Sequence, residues 1–109
     1  MIAKRPSIFI YTNSVHTEIL REICAGIEEE GVFFEVFRKD GKSADALAWE
    51  AANDSMMGSG IGIYGNQAVL QMRGLRQGQN VCVLEGAAKA ECRVLGANSA
   101  RIIKKMPLK

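Results

Sequence analysis

Two hydrophobic rhythms alternate along the chain, one with a period near two and one near four. Ser7 to Tyr11 is a short apolar, β-rich run that predicts a buried first strand. The rhythm then changes. Val15, Ile19, Ile23 and Ile27 recur every four residues with Leu20 and Cys24 alongside, which makes one apolar face of a helix. Asn13 or Ser14 is placed to cap its start, and Gly31, lacking a Cβ, suits a left-handed cap at its end. Val32 to Phe37 predicts a second strand. Asp40-Gly41 and Ser43 mark a turn and a cap before Ala44 to Asn53, a run of strong helix formers. Within it, Leu47, Ala48, Ala51 and Ala52 form a narrow face for close packing. Gly60 to Tyr64 predicts a third strand, Gly65-Asn66 a tight turn, and Ala68 to Met72 an antiparallel hairpin partner. Val81 to Leu84 is a fifth short strand. From Ala87 helical spacing returns, with Cys92, Leu95, Ile102 and Met106 on one side, until Pro107 stops it.

The early strand–helix alternation requires a largely parallel sheet with helices on its faces, to which the hairpin adds an antiparallel strand. With 109 residues and no internal repeat, linker or low-complexity tract, residues 1–109 are expected to form a single α/β domain. The small-residue faces around Ala48, Ala51 and Ala52, and around Gly96, Ala97 and Ala100, permit close approach by the sheet or by another protein. An incompletely covered apolar surface that seeks a partner is the expectation.

Composition narrows the function classes. A net charge of +2 gives no electrostatic case for nucleic acid or for an acidic membrane surface. Arg101, Lys104, Lys105 and Lys109 cluster, but a basic final helix turn follows from the helix dipole alone. Three cysteines, Cys24, Cys82 and Cys92, form no CxxC and argue against a disulfide framework or a structural zinc site; each reads as a small buried hydrophobe. Met1 to Ile10 holds too short an apolar stretch for a signal peptide, and no run approaches a membrane span. The expected address is the cytoplasm.

Catalytic chemistry is sparse. His16, the sole histidine, falls in the first helical turn with no nucleophile motif beside it and reads as a solvent-facing residue. Gly58-Ser-Gly-Ile-Gly-Ile63 contains no lysine and opens into no helix, so it fails the phosphate-loop and dinucleotide tests; its glycines let a strand run close to another backbone. Trp49 and Tyr64 are too isolated to stack bases. Glu28, Glu29 and Glu30 resist an idle reading. They occupy the last turn of the first helix, at the negative end of its dipole, where each carboxylate costs about 0.3–1 kcal/mol. Either this is a solvated acidic helix end, or one carboxylate is held for a cation or a basic partner. Adjacent helix residues lie about 100° apart, so at most one can face a given ion.

Three segments, in this order and spacing, resemble one family. Gly26-Ile-Glu-Glu-Glu-Gly31 with Val32 and Phe33, then Ala46-Leu-Ala-Trp-Glu-Ala-Ala52 with Asp54-Ser55 and Gly60-Ile-Gly-Ile63, then Leu95-Gly-Ala-Asn-Ser-Ala-Arg-Ile-Ile-Lys104 with Pro107-Leu108, are similar to the small subunits of adenosylcobalamin-dependent diol or glycerol dehydratase reactivating factors. The resemblance implies a three-layer α/β/α fold around a five-stranded mixed, mostly parallel sheet, shared with the dehydratase medium subunit. It implies a non-catalytic subunit of a chaperone-like heterotetramer of two large and two small subunits, with ATPase activity in the large one. Exchange of the small subunit with the medium subunit of the dehydratase would release damaged cobalamin. It also implies that the middle glutamate, Glu29, reaches a magnesium ion at the large-subunit contact, with no cofactor on the isolated chain, and a cytoplasmic address that extends to a bacterial microcompartment. Two departures stand out: the Gly74 to Gln79 connection lacks the family's prolines, and Gln71 stands where the family often has histidine. The competing readings are a medium subunit-like component of a dehydratase and an independent α/β binding module.

Overall fold

The structure, a computed structural model, describes residues 6–14, 16–41 and 43–109. Val15 of the expected helix face and Met1 to Arg5 of the stretch weighed as a signal peptide lie outside the described residues. In chain order the elements are β1 (Ile8–Asn13), α1 (Thr17–Glu29), β2 (Phe34–Arg38), α2 (Ala44–Asp54), β3 (Ser59–Tyr64), β4 (Gln67–Met72), β5 (Cys82–Glu85) and α3 (Lys89–Lys104).

One mixed sheet has the order β2-β1-β3-β4-β5. β1 pairs in parallel with β2 and β3, and β4 runs antiparallel to both β3 and β5, so four of the five strands point one way. The connection from β1 to β2 moves outward, and the one from β2 to β3 returns across β1. With a constant crossover hand, opposite directions place successive helices on opposite faces. α1 and α3 accordingly share one face and α2 covers the other. Period-two alternation supplies both cores: Ile8, Ile10, Ile61, Ile63, Ala68 and Leu70 meet α1 and α3, while Phe9, Tyr11 and Val69 meet α2.

Backbones approach closely on both faces, and here the small residues are used. A Cβ on Gly60 would lie 2.1 Å from the Ala52 amide nitrogen, and one on Gly62 2.1 Å from the Ala44 carbonyl oxygen, so α2 rests directly on β3. A Cβ on Gly26 would lie 2.1 Å from the Arg93 carbonyl oxygen, and one on Gly96 2.0 Å from that of Ile23, so α1 and α3 cross in contact. Ala48, Ala51, Ala52, Ala97 and Ala100 are fully buried. Of the two uses open to these faces, packing within the chain is the one realised.

Several boundaries differ from expectation. Neither Asn13 nor Ser14 caps α1. Asn13 ends β1 and donates its amide to the Gly41 carbonyl, Ser14 takes a left-handed φ of 53°, and exposed His16 is the cap position without a side-chain bond. β2 begins at Phe34, two residues later than predicted, because Gly31 at φ 72° must first turn the chain out of the helix. α3 stops at Lys104, and Met106 is exposed beyond it instead of facing inward. Pro107 disfavours helical backbone in the residue before it, and Lys105 reverses the chain at φ 56°. Ser43 caps α2 as expected, accepting the Ala46 N–H at 3.1 Å.

Candidate functional site

α1 and α3 run parallel, so their C-terminal, negative dipole ends lie side by side. Glu30 is paired across this junction with Arg101 and Lys104 of α3. Lys104 Nζ donates to Glu30 Oε1 and to its carbonyl oxygen, both at 2.9 Å, and Arg101 Nε donates to Oε2 at 3.1 Å. The hydrogen bond from Lys104, joined by that from Arg101, holds the Glu30 carboxyl below its ordinary range against the opposing effect of desolvation. Two cations from one helix thus neutralise the adverse charge at the end of the other. The basic cluster answers the acidic one. Two opposite-charge clusters at the ends of two amphipathic helices were the sequence signal for this pairing, and reading each alone misses it.

The three glutamates point in three directions, as the helical 100° step requires. Glu28 lines a surface cleft of about 390 Å³ with Gly31, Val32, Phe33 and Phe34. Glu29 faces Arg93, whose Nη1 lies 3.6 Å from Oε2, while Nη2 of the same guanidinium lies 2.8 Å from Glu22 Oε1. The Glu30 side chain is only 9% exposed and that of Glu29 is 50% exposed. Glu30 therefore belongs to the fold. Glu29 is the half-free carboxylate. Among the described residues no group of three or more His, Cys, Asp or Glu side chains could hold a metal ion. Any cation at Glu29 must take most of its ligands from water or from another chain.

The remaining candidates stand apart from this end. His16 lines a cleft of about 200 Å³ with Glu18, Asn66, Gly86 and Lys89, at the opposite end of the helix pair. Trp49 and Tyr64 are partly exposed on separate elements. Cys92 is buried and Cys24 and Cys82 are half-buried free thiols, with burial raising all three. Among the described residues no helix is long and apolar enough to cross a membrane. The two departures noted in the sequence are joined: buried Gln71 donates through Nε2 to the Arg76 carbonyl and to Asn80 Oδ1, both at 3.1 Å, and so pins the proline-free connection.

Comparison with known proteins gives consistent matches. The family model described as "Dehydratase medium subunit" matches residues 5–109. Two curated relatives come from Citrobacter freundii. The "Propanediol dehydratase-reactivating factor small subunit" is 29% identical over 107 residues, covering 95% of this chain and 90% of its own length. The "Probable glycerol dehydratase-reactivating factor small subunit" is 31% identical over 103 residues, covering 92% and 88%. A solved "Glycerol dehydratase reactivase" chain superposes with a TM-score of 0.91 at 27% identity, covering 96% of this chain and 97% of that one. A chain of a diol dehydratase-reactivating factor complexed with ADP and Mg2+ superposes with a TM-score of 0.90 at 27% identity, covering 97% and 99%.

Proposed function

From the premise that the chain belongs to the dehydratase medium subunit family, we propose that it is the small subunit of a reactivating factor for a diol or glycerol dehydratase. The observation carrying this reading is likeness in sequence to reactivating-factor small subunits and in fold to chains of reactivating factors, along nearly the whole chain. In this scheme the chain is an adaptor. It docks on an ATPase-type large subunit in a heterotetramer of two large and two small subunits. It then trades places with the medium subunit of the dehydratase, and damaged cobalamin leaves. Purified alone, the chain should hydrolyse no ATP. Magnesium-dependent hydrolysis abolished by its own point variants would overturn that assignment.

Glu29 is the residue we assign to the large-subunit contact, through magnesium. Such an ion keeps several waters and takes one or two carboxylates, so a single carboxylate from this side suffices. Glu29 fits because it is half exposed and its nearest cation is beyond hydrogen-bonding distance. Glu29→Gln preserves the shape and the fold and should weaken assembly by about 1–3 kcal/mol, the scale for a lost charge-assisted contact. Glu28→Gln should do much less. Equal affinity for both variants and the parent, with and without chelator, would remove the metal assignment.

A second reading, a medium subunit-like component of a dehydratase, draws on the name of the family itself. Co-purification from the native host separates the two. An ATPase-type large subunit in the complex supports the adaptor. Cobalamin retained by this chain together with a dehydratase large subunit supports the enzyme component.

A further inference from the structure

We propose that the chain pairs with a second copy of itself through the outer edge of β2, antiparallel and centred on Phe37. The inference does not depend on the functional reading above.

β2 ends the sheet, with β1 its one neighbour among the described strands. The Ile8 N–H donates to the Phe33 carbonyl at 3.0 Å and the Lys39 N–H to that of Thr12 at 2.9 Å. Odd-numbered residues of this stretch therefore turn their backbone groups toward β1, and Phe34, Val36 and Arg38 turn theirs outward. An unpaired row of this kind is a template for another strand.

Side chains decide which strand fits. Glu35, Phe37 and Lys39 share the face that carries α2. Phe37 packs edge-on against Phe9 and Tyr11, with ring centroids 5.0 and 5.7 Å apart, and Lys39 Nζ lies 4.7 Å from the centre of the Tyr11 ring. Opposite charges thus stand two residues to either side of one aromatic ring. In an antiparallel pair, a twofold axis at Phe37 sets Glu35 of each copy directly opposite Lys39 of the other and brings the two Phe37 rings together. Val36 and Arg38 then exchange their outward backbone hydrogen bonds across the pair. Centring on Glu35 or Arg38 would set like charges against each other, and centring on Val36 would leave Glu35 opposite a ring. The charge pattern selects one register, and β2 read backwards is the strand that satisfies it. β5, at the other edge, is four residues long and holds no cation to meet its Glu85.

Sedimentation equilibrium of the full chain, from micromolar to millimolar concentration, should show a reversible monomer–dimer equilibrium. Glu35→Lys and Lys39→Glu each put like charges opposite one another at both ends of the pair, and each should weaken dimerisation about tenfold. An equal mixture of the two variants restores opposite charges at both ends and should recover the affinity of the parent. Val36→Pro removes an N–H that the monomer leaves unused, so it should fold, by circular dichroism, and stay monomeric. In the parent, amide exchange at Val36 and Arg38 should slow as concentration rises; if a charge variant fails to fold, this measurement decides alone. A parent that stays monomeric throughout overturns the inference, as does a dimer that both charge reversals leave equally tight or one in which those amides stay unprotected. Protection of the same amides only when an ATPase-type large subunit is added would give the edge to that partner and overturn self-pairing too.

Discussion

Glu30 shows what one side chain does at a junction of two helix ends. Its lowered pKa sets the sign of a pH effect. A carboxyl depressed in the folded state stabilises above its unfolded pKa, near 4.3, and that contribution is lost as pH falls through the folded value. The stability difference between the parent and Glu30→Gln should thus be full at pH 7 and shrink progressively below about pH 4.3, as read by urea melts across the range. A difference constant down to strong acid would mean that the ion pairs contribute nothing. Cys24 gives a second test at this scale. Burial, with the nearby charge of Glu28 adding to it, pushes its thiol up to about 11. Only about one molecule in a thousand carries the thiolate at pH 8, so alkylation should be far slower than for a free cysteine until the chain unfolds. Gln71 gives a third. Gln71→Ala removes the anchor of the Gly74 to Gln79 connection and should cost about 1–3 kcal/mol, with faster amide exchange confined to that loop. The partners of Gln71 were not legible in sequence, and those of Glu30 only as two opposite-charge clusters whose meeting the fold decides. Glu30 meets Arg101 across 71 positions, and Gln71 reads as an ordinary strand residue until its loop folds back.

At the scale of elements, glycine positions fix how helices sit. Gly96→Ala puts a methyl group 2.0 Å from the Ile23 carbonyl oxygen, on rigid backbone that cannot rotate away. Alanine's better helix propensity returns about 1 kcal/mol. The clash costs about 3 kcal/mol or more, so the net effect should be a clear loss in a denaturant melt. Gly31→Ala meets no atom within 4 Å and should cost only about 1 kcal/mol, through its positive φ. If the two variants melt alike, the contact between α1 and α3 is looser than described. The elements themselves were readable, because each carries its own period: Ile19, Ile23 and Ile27 for α1, and Ile61 and Ile63 alternating with Gly60 and Gly62 for β3. Their ends were less so. The start of α1 depends on an unusual Ser14 backbone, and the stop of α3 on the turn at Lys105, and neither residue type announces a left-handed conformation.

Taken whole, the molecule places its opposing charges at the ends of one helix pair and spends its small residues inside. A partner must then recognise what remains outside, and among the described residues the exposed large apolar side chains are Phe33, Val36, Trp49, Met56, Tyr64, Val83, Val94, Met106 and Leu108. We propose that the chain unfolds as one unit, so that fluorescence and circular dichroism transitions coincide; separated transitions would divide it. The position of α3 in the chain has a consequence for synthesis. Ribosomes deliver α3 after everything it covers. Until it emerges, Ile61, Ile63 and Leu70 of the sheet lie on a face that only α1 partly shields, and the glycine groove of α1 lies empty. A chain truncated after Glu85 should bind a hydrophobic dye and be cut rapidly by protease, whereas the full chain should do neither. We propose that, during its own translation, this chain is itself a client for holding chaperones.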